Sequence, residues 1–351
     1  MEYRRLKPLD VIRFAAPHTW AASVMPALFG GALALRVMGG QAAFPGNEGG
    51  FPAPNAGTFL TWALCLAAAV LMQCAVNTLN DYRDFIGGTD TRENSDDPAD
   101  AVLVYNNIAP RSARTLGLCF LLAAGCFGLC ALALSAWNHS NPEMRFGHAA
   151  APLLIGVCGA AVIGLYSFGP KPLASLPLGE FFSGTVMGLG IAAGVFSVLT
   201  QTVSGAVFVL AVPFAFGIGL IMMTNNICDI ERDSASGRRT LPVLLGRKRA
   251  RSVYGVLALL WYLPIFGLTG IFAASFQAGE RYSVSFNGAQ FVMMLEIVFL
   301  IVCLVTVIRL LLLPLTPETR ARGMKSITRA NVILGFAYTF DVVSAMGLYS
   351  G

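Results

Sequence analysis

Two short stretches of this sequence concentrate side chains suited to hard cations. The first reads Asn77-Thr-Leu-Asn80-Asp81-Tyr-Arg-Asp84 and runs on through Phe-Ile-Gly-Gly-Thr to Asp90. The second reads Asn225-Asn226-Ile-Cys-Asp229-Ile-Glu-Arg-Asp233. On a helix, Asn77, Asn80, Asp81 and Asp84 stand at i, i+3, i+4 and i+7 and share one face. Asn225, Asp229 and Asp233 stand at i, i+4 and i+8, with Asn226 beside them. Carboxylates this close repel, and partial burial raises the cost of keeping them ionised. A divalent cation removes the repulsion. Mg²⁺ takes oxygen ligands, keeps several waters, and is held by one or two carboxylates together with substrate phosphates. Two such faces opposed across a cavity can hold Mg²⁺ ions that grip a diphosphate from both sides and neutralise the charge building on it as it departs. A solvated loop or helix cap explains any one of these acids taken alone. It does not explain the same Asn/Asp pattern twice.

The elements that carry these residues are membrane spans. Of 351 residues, 56% are hydrophobic and 12% charged, against about 25% charged in a soluble domain. The apolar residues fall in runs near 17–37, 58–80, 113–137, 149–168, 178–200, 205–226, 250–275, 288–315 and 329–350. Each is long enough to cross a hydrocarbon layer about 30 Å thick as a helix. The first run is too long for a signal-peptide core and reads as a retained span. The spacing therefore predicts an all-α, multi-pass bundle of about nine helices forming a single domain over 1–351. A weak internal repeat relates helices two and six, which end in the two acidic rows. With the N-terminus in the cytoplasm, 20 of the 24 Lys and Arg residues fall inside. Only Arg36, Arg145 and Arg281 then fall outside, with Arg309 in a span, which is the bias that orients proteins in a cell membrane. Both acidic rows then end on the cytoplasmic side. Ten of the 19 acidic residues lie in the loops 81–112 and 227–249.

Other residues stand near these loops. Tyr166 and Lys171 close the fourth span, and a lysine there can meet a diphosphate oxygen as a point charge. Arg238 and Arg239 follow Asp233 closely and are similar candidates. Glu180 and Glu296 lie inside spans, where an acid is costly and points to function. Glu180 begins the fifth span close to the acidic rows, whereas Asp341 lies towards the far end of the last. The eight cysteines form no CxxC pair and the three histidines lack ligand spacing, so the thiols read as small apolar filler. The formal charge of +5 reflects membrane orientation and does not call for nucleic acid.

Taken together, Asn80-Asp81-Tyr-Arg-Asp84 with Asp90, and Asp229-Ile-Glu-Arg-Asp233, resemble the paired motifs of the UbiA superfamily of intramembrane prenyltransferases. The resemblance implies about nine helices, Mg²⁺ dependence and a lipidic allylic diphosphate donor, with Tyr166 and Lys171 binding the diphosphate. Asn-Asp-Tyr followed by Gly88-Thr89-Asp90, and Asn225-Asn226 leading to Gly237-Arg-Arg-Thr240-Leu241 and Leu245-Gly246, are similar to the branch that prenylates 1,4-dihydroxy-2-naphthoate, the MenA branch. Pro17-His-Thr19 resembles its N-terminal Arg-Pro-x-Thr, with Ala16 in place of the arginine. Asn106-Asn107-Ile108 stands where the branch often has glycine before isoleucine.

The expectation is a bundle whose cavity opens to the cytoplasm and sideways into the bilayer, from which a polyprenyl diphosphate enters. Asp81, Asp84, Asp229 and Asp233, with Asp90, hold Mg²⁺. Asn77, Asn80 and Asn226 orient the carboxylates or the diphosphate, and Lys171 and Arg238 take its charge. An electron-rich ring then attacks the allylic cation, and in the resembled branch the acceptor loses its carboxyl as CO₂. Other acceptors (4-hydroxybenzoate, haem or a glycerol phosphate) remain open. So does a cation transporter, although that would place acids near the bilayer midplane. A CDP-alcohol phosphotransferase lacks its DGxxAR-type motif here.

Overall fold

The computed structural model describes residues 3–40, 52–92, 101–138, 150–167, 169, 172–277 and 286–348. Among these residues thirteen α-helices succeed one another: α1 (Pro8–Ala15), α2 (Ala21–Met38), α3 (Ala56–Ile86), α4 (Val102–Asn106), α5 (Pro110–Asn138), α6 (Ala150–Ser167), α7 (Gly179–Ser183), α8 (Ile191–Thr200), α9 (Gly205–Cys228), α10 (Ile230–Ala235), α11 (Leu241–Gln277), α12 (Phe286–Leu312) and α13 (Arg320–Leu348). A π-helical segment, Gly184–Gly190, joins α7 to α8. Among the described residues no strand forms; the only β pairing is a bridge between Arg4 and Ile108.

Among the described residues, eight helices are long and apolar enough to cross a membrane. The ninth expected span corresponds to α13, a helix of 29 residues. α13 packs on α2, α9, α11 and α12, so buried partners can answer polar groups on it: Asn331 donates to the carbonyls of Gly217 and Ile327 at 3.0 Å each. The bundle's outer surface is apolar instead, with Leu122, Val209 and Leu312 widely exposed, as suits a protein solvated by lipid. This is a multi-pass membrane protein.

Two sequence-based boundaries shift. The first span begins at Ala21, because Ala16 adopts a left-handed conformation (φ 46°) and Pro17–Thr19 form a tight 3₁₀ turn after α1. The second acidic row does not ride one unbroken helix. α9 stops at Cys228 and α10 starts at Ile230, with Asp229 (φ −100°, ψ 15°) at the joint. The i to i+4 bonds from Asp229 N to Asn225 O (3.0 Å) and from Asp233 N to Asp229 O (2.8 Å) survive, so the row still keeps one side. The first row does lie on a continuous helix, since α3 runs on to Ile86.

Close approach governs the middle of the bundle. A Cβ on Gly184 would lie 2.5 Å from the Ala215 carbonyl oxygen, and one on Gly188 would lie 2.5 Å from the Ala215 amide nitrogen. Two glycines four residues apart thus let the π-helical segment lie directly on the α9 backbone, the small-residue contact that membrane helices use to associate. π-helical turns also recur beside functional sites. Gly246 (φ 72°) turns the chain sharply near the start of α11.

Candidate active site

α3 delivers Asn77, Asn80, Asp81 and Asp84 on its last turns, and its C-terminal cap brings Asp90 back towards them. Gly88 takes φ 72°, a conformation that glycine adopts without steric cost. It allows Thr89 N and Asp90 N to donate to the Asp84 carbonyl at 2.9 and 3.2 Å. α9 and α10 deliver Asn225, Asn226, Asp229 and Asp233. The loop that follows carries Arg238, whose backbone amide bonds the Asp233 carbonyl at 2.9 Å.

Guanidinium groups tie the two rows together. Arg238 Nη2 meets Asp84 Oδ1 of the first row at 2.5 Å, and its Nη1 meets Asp233 Oδ1 of the second at 3.3 Å. Arg232 spans the same gap, with Nη2 at 2.7 Å from Asp229 Oδ2 and Nη1 at 3.6 Å from Asp90 Oδ1. Arg320, from the start of α13, reaches Asp229 Oδ2 with Nε at 3.0 Å and Asn225 Oδ1 with Nη2 at 2.6 Å. The rows therefore face each other, and positive charge lies between them. Burial pushes the Asp233 carboxyl above its ordinary pKa, and Arg238 pulls the other way. For Arg238, burial disfavours the charge, but Asp84 and Asp233 outweigh it and hold the guanidinium above its ordinary value.

Asp81 is used differently from the other acids. It is buried, and it accepts the amides of Val102 (2.8 Å to Oδ2) and Leu103 (3.3 Å to Oδ1) at the start of α4. The carboxylate of α3 that reaches the second row is that of Asp84. Asn80 accepts from Ser167 Oγ at 2.5 Å, which ties the first row to the end of α6. Asn77 points the other way, donating to the Ala15 carbonyl (3.1 Å) and Thr19 Oγ1 (2.9 Å), so it braces the entry to α2. Asn226 donates to Glu180 Oε1 at 2.9 Å. Tyr166 is buried, its hydroxyl 3.6 Å from Met222 Sδ. Lys171 lies outside the described residues.

Several participants gave no signal in the sequence beyond their charge. Arg232 and Arg320 read there as orientation residues. Arg232 sits inside the second motif, and its helical register with Asp229 was a usable clue; nothing local marks Arg320. A separate cluster forms beside the site. Asp10 takes Arg4 through two oxygens (2.5 and 2.8 Å), and Arg13 donates to Asn106 Oδ1 at 2.7 Å. The Arg4 amide bonds the Asn107 carbonyl at 3.0 Å, so Asn106-Asn107-Ile108 serve to dock the N-terminal segment.

Among the described residues no group of three acids, cysteines or histidines converges on a point that would hold an ion. The donor set is nevertheless all carboxylate and amide oxygen, the set Mg²⁺ requires, and the gap between the rows already holds cationic groups. The residues fit the metal chemically.

Residues 23–279 match the model of the UbiA prenyltransferase family. The chain is 30% identical over 259 residues to the 1,4-dihydroxy-2-naphthoate octaprenyltransferase of Bacillus subtilis, covering 74% of this chain and 73% of that one. It is 27% identical to the UbiA prenyltransferase domain-containing protein 1 of Danio rerio, covering 94% and 82%. In fold it is similar to a UbiA homolog from Archaeoglobus fulgidus bound to GPP and Mg²⁺, with a TM-score of 0.55 at 16% identity over 94% of this chain and 99% of that one. An apo UbiA homolog from Aeropyrum pernix gives 0.54 at 18% identity over 93% and 98%.

Proposed function

Because the chain belongs to the UbiA prenyltransferase family, we propose that it transfers a polyprenyl group from an allylic diphosphate to 1,4-dihydroxy-2-naphthoate, with Mg²⁺ and with loss of the acceptor's carboxyl as CO₂. That it is a membrane-embedded prenyltransferase follows from the family; donor, acceptor and metal are the reading offered here. The observation that carries it is the grip of Arg238 on Asp84 and Asp233 together, which brings both acidic rows to one end of the bundle. The naming of the Bacillus subtilis relative supports the naphthoate acceptor. The GPP and Mg²⁺ bound to the Archaeoglobus fulgidus homolog support the donor and the ion.

Asp84, Asp90, Asp229 and Asp233 would hold Mg²⁺, with Asp81 behind them fixing α4 against the first row. The bound ion would supply charge neutralisation at the departing diphosphate. Arg238 and Arg232, already drawn into the gap by the carboxylates, are placed to turn their guanidinium forks to the phosphate oxygens, a geometry that suits phosphate. Tyr166 and Lys171 belong to the same diphosphate site in this reading. Asn80 and Asn226 hold the flanks of the pocket, and Asn77 sets the position of the N-terminal segment. The site end faces the cytoplasm of a cell membrane, where most of the basic residues lie. The prenyl chain lies in the bilayer and reaches the site from the side.

The experiment is a panel of acceptors with purified protein, Mg²⁺ and prenyl diphosphates of several lengths, followed by product analysis and CO₂ release. Prenylated naphthoquinol with one CO₂ per transfer is expected. Transfer to 4-hydroxybenzoate, haem or a glycerol phosphate in its place overturns the acceptor. No transfer at all overturns the reading.

A further inference from the structure

We propose that Glu180 is the catalytic base: its free carboxylate oxygen takes the hydroxyl proton of the phenolic acceptor as the ring carbon attacks. This rests on the prenyl-transfer reading above and adds the group it lacks, a proton acceptor. Glu180 is 7% exposed and its partner Asn226 is 5% exposed. Oε1 is occupied by the Asn226 amide at 2.9 Å. Oε2 is buried and has no hydrogen-bonding partner among the described residues, which is unusual for a buried carboxylate and calls for an explanation. Neither arginine that bridges the rows reaches it.

Its position is the second argument. Asn226, which holds Glu180, precedes Asp229 by three residues and so lies about 4.5 Å further into the bundle than Asp229, at a rise of about 1.5 Å per residue. The allylic carbon is bonded directly to the diphosphate, and its hydrocarbon chain leads away into the membrane. With the diphosphate between the acidic rows, that carbon lies on their inner side, and the nucleophile must come to the same level. Among the described residues, the Tyr166 phenol on α6 and the Asp233 carboxylate are the titratable groups near Glu180. Gly179 packs towards the same tyrosine: a Cβ there would stand 3.9 Å from the Tyr166 hydroxyl. The bundle at this depth thus offers one carboxylate oxygen that no group among the described residues occupies.

The chemistry balances without any further reagent. The acceptor's O–H bond breaks and its proton passes to Glu180 Oε2. The ring's electron pair forms the new bond to the allylic carbon, and the carbon–oxygen bond to the diphosphate breaks with its pair leaving on the diphosphate. The attacked ring carbon now carries both the prenyl group and the acceptor's carboxylate, beside a carbonyl. Loss of CO₂ leaves the electron pair as an enolate, and Glu180 returns the proton to that oxygen, restoring the aromatic ring and the free base.

The test is Glu180→Gln, which keeps the shape and the bond to Asn226, assayed beside Glu180→Asp. Binding of a non-ionising thiolo-diphosphate donor analogue with Mg²⁺ is measured by calorimetry, and turnover is measured across phenolic acceptors of graded acidity. The expected result for Glu180→Gln is donor affinity within two-fold of wild type and turnover lower by about 100-fold, the low end for general acid–base catalysis. That loss should shrink as the acceptor hydroxyl becomes more acidic, and Glu180→Asp should be more active than Glu180→Gln. Turnover of Glu180→Gln near wild type overturns the proposal. So does a loss that ignores acceptor acidity, or a Glu180→Asp variant no better than the glutamine. A wild-type protein that prenylates none of the acceptors defeats the preceding reading instead, an outcome distinct from an active Glu180→Gln.

Discussion

Asp84, Asp229 and Asp81 have the same side chain but different surroundings, and their substitution should separate accordingly. Asp84 meets Arg238 across the gap, and Asp229 meets Arg232 and Arg320; at both, Asn keeps the shape and removes the charge that would hold Mg²⁺. Asp84→Asn and Asp229→Asn should each lower turnover by about 100-fold or more, as loss of a charge-stabilising group does, while thermal unfolding in detergent is little changed. Asp81 accepts two buried amides at the head of α4. Asp81→Ala leaves both donors unmatched, at about 1–3 kcal/mol each, and should lower the unfolding midpoint by more than either asparagine variant does. Arg238 presents the opposite case. Arg238→Gln leaves Asp84 and Asp233 facing each other without the cation that bridges them, a loss on the order of 3 kcal/mol for a buried pair. Added Mg²⁺ should recover part of that stability. An unfolding midpoint insensitive to Mg²⁺ in this variant would remove the carboxylates from the metal site.

At the scale of elements, the contact between the π-helical segment and α9 depends on missing side chains. Gly188→Ala puts a Cβ 2.5 Å from the Ala215 amide nitrogen, and a backbone atom cannot step aside as a flexible side chain can. Overpacking of this kind costs about 1–3 kcal/mol, so both the unfolding midpoint and the turnover should fall. Gly190→Ala meets nothing within 4 Å and is the matched control, with a midpoint unchanged or slightly raised. The N-terminal element gives a pH test. The hydrogen bonds from Arg4 hold the Asp10 carboxyl at a pKa of about 2, well below its ordinary value near 3.9. A depressed acid contributes stability above its unfolded pKa and loses that contribution as pH falls through the folded one. Amide exchange in α1 should accelerate as pH is lowered from about 4 towards 2, beyond the intrinsic pH dependence of exchange, and Asp10→Asn should show the fast exchange already at neutral pH.

For the whole molecule, the proposed orientation can be read by labelling. Ser234, beside the second acidic row, and Ala53, before α3, are both exposed at opposite ends of the bundle. In intact cells, a membrane-impermeant thiol reagent should label Ala53→Cys, and should label Ser234→Cys only after permeabilisation. The reverse pattern would put the site on the outer face. Cys119, Cys126, Cys130 and Cys158 are exposed on helices read as membrane spans, where a charged reagent does not reach them. The expected ninth span also belongs to this scale. α13 carries Arg320 to the site at one end and buries Asn331 and Asp341 further along. Such polar groups are what a helix can tolerate when other helices surround it.

Local pattern determined the solvent, the succession of helices and the two Asn/Asp rows, because hydrophobic run length and i, i+3, i+4 spacing are properties of neighbouring residues. It also gave the register of the first row, although the apolar run ended at 80 and α3 continues to Ile86. What it left open is which groups answer those acids. Arg238 meets Asp84 across 154 positions of chain and Arg320 meets Asp229 across 91. No periodicity links positions so far apart; only the packing of α3 and α9 to α13 into one bundle brings them together. The same packing turned Asp81 towards α4, made working partners of two arginines that looked like orientation signals, and left one oxygen of Glu180 bare beside Asn226.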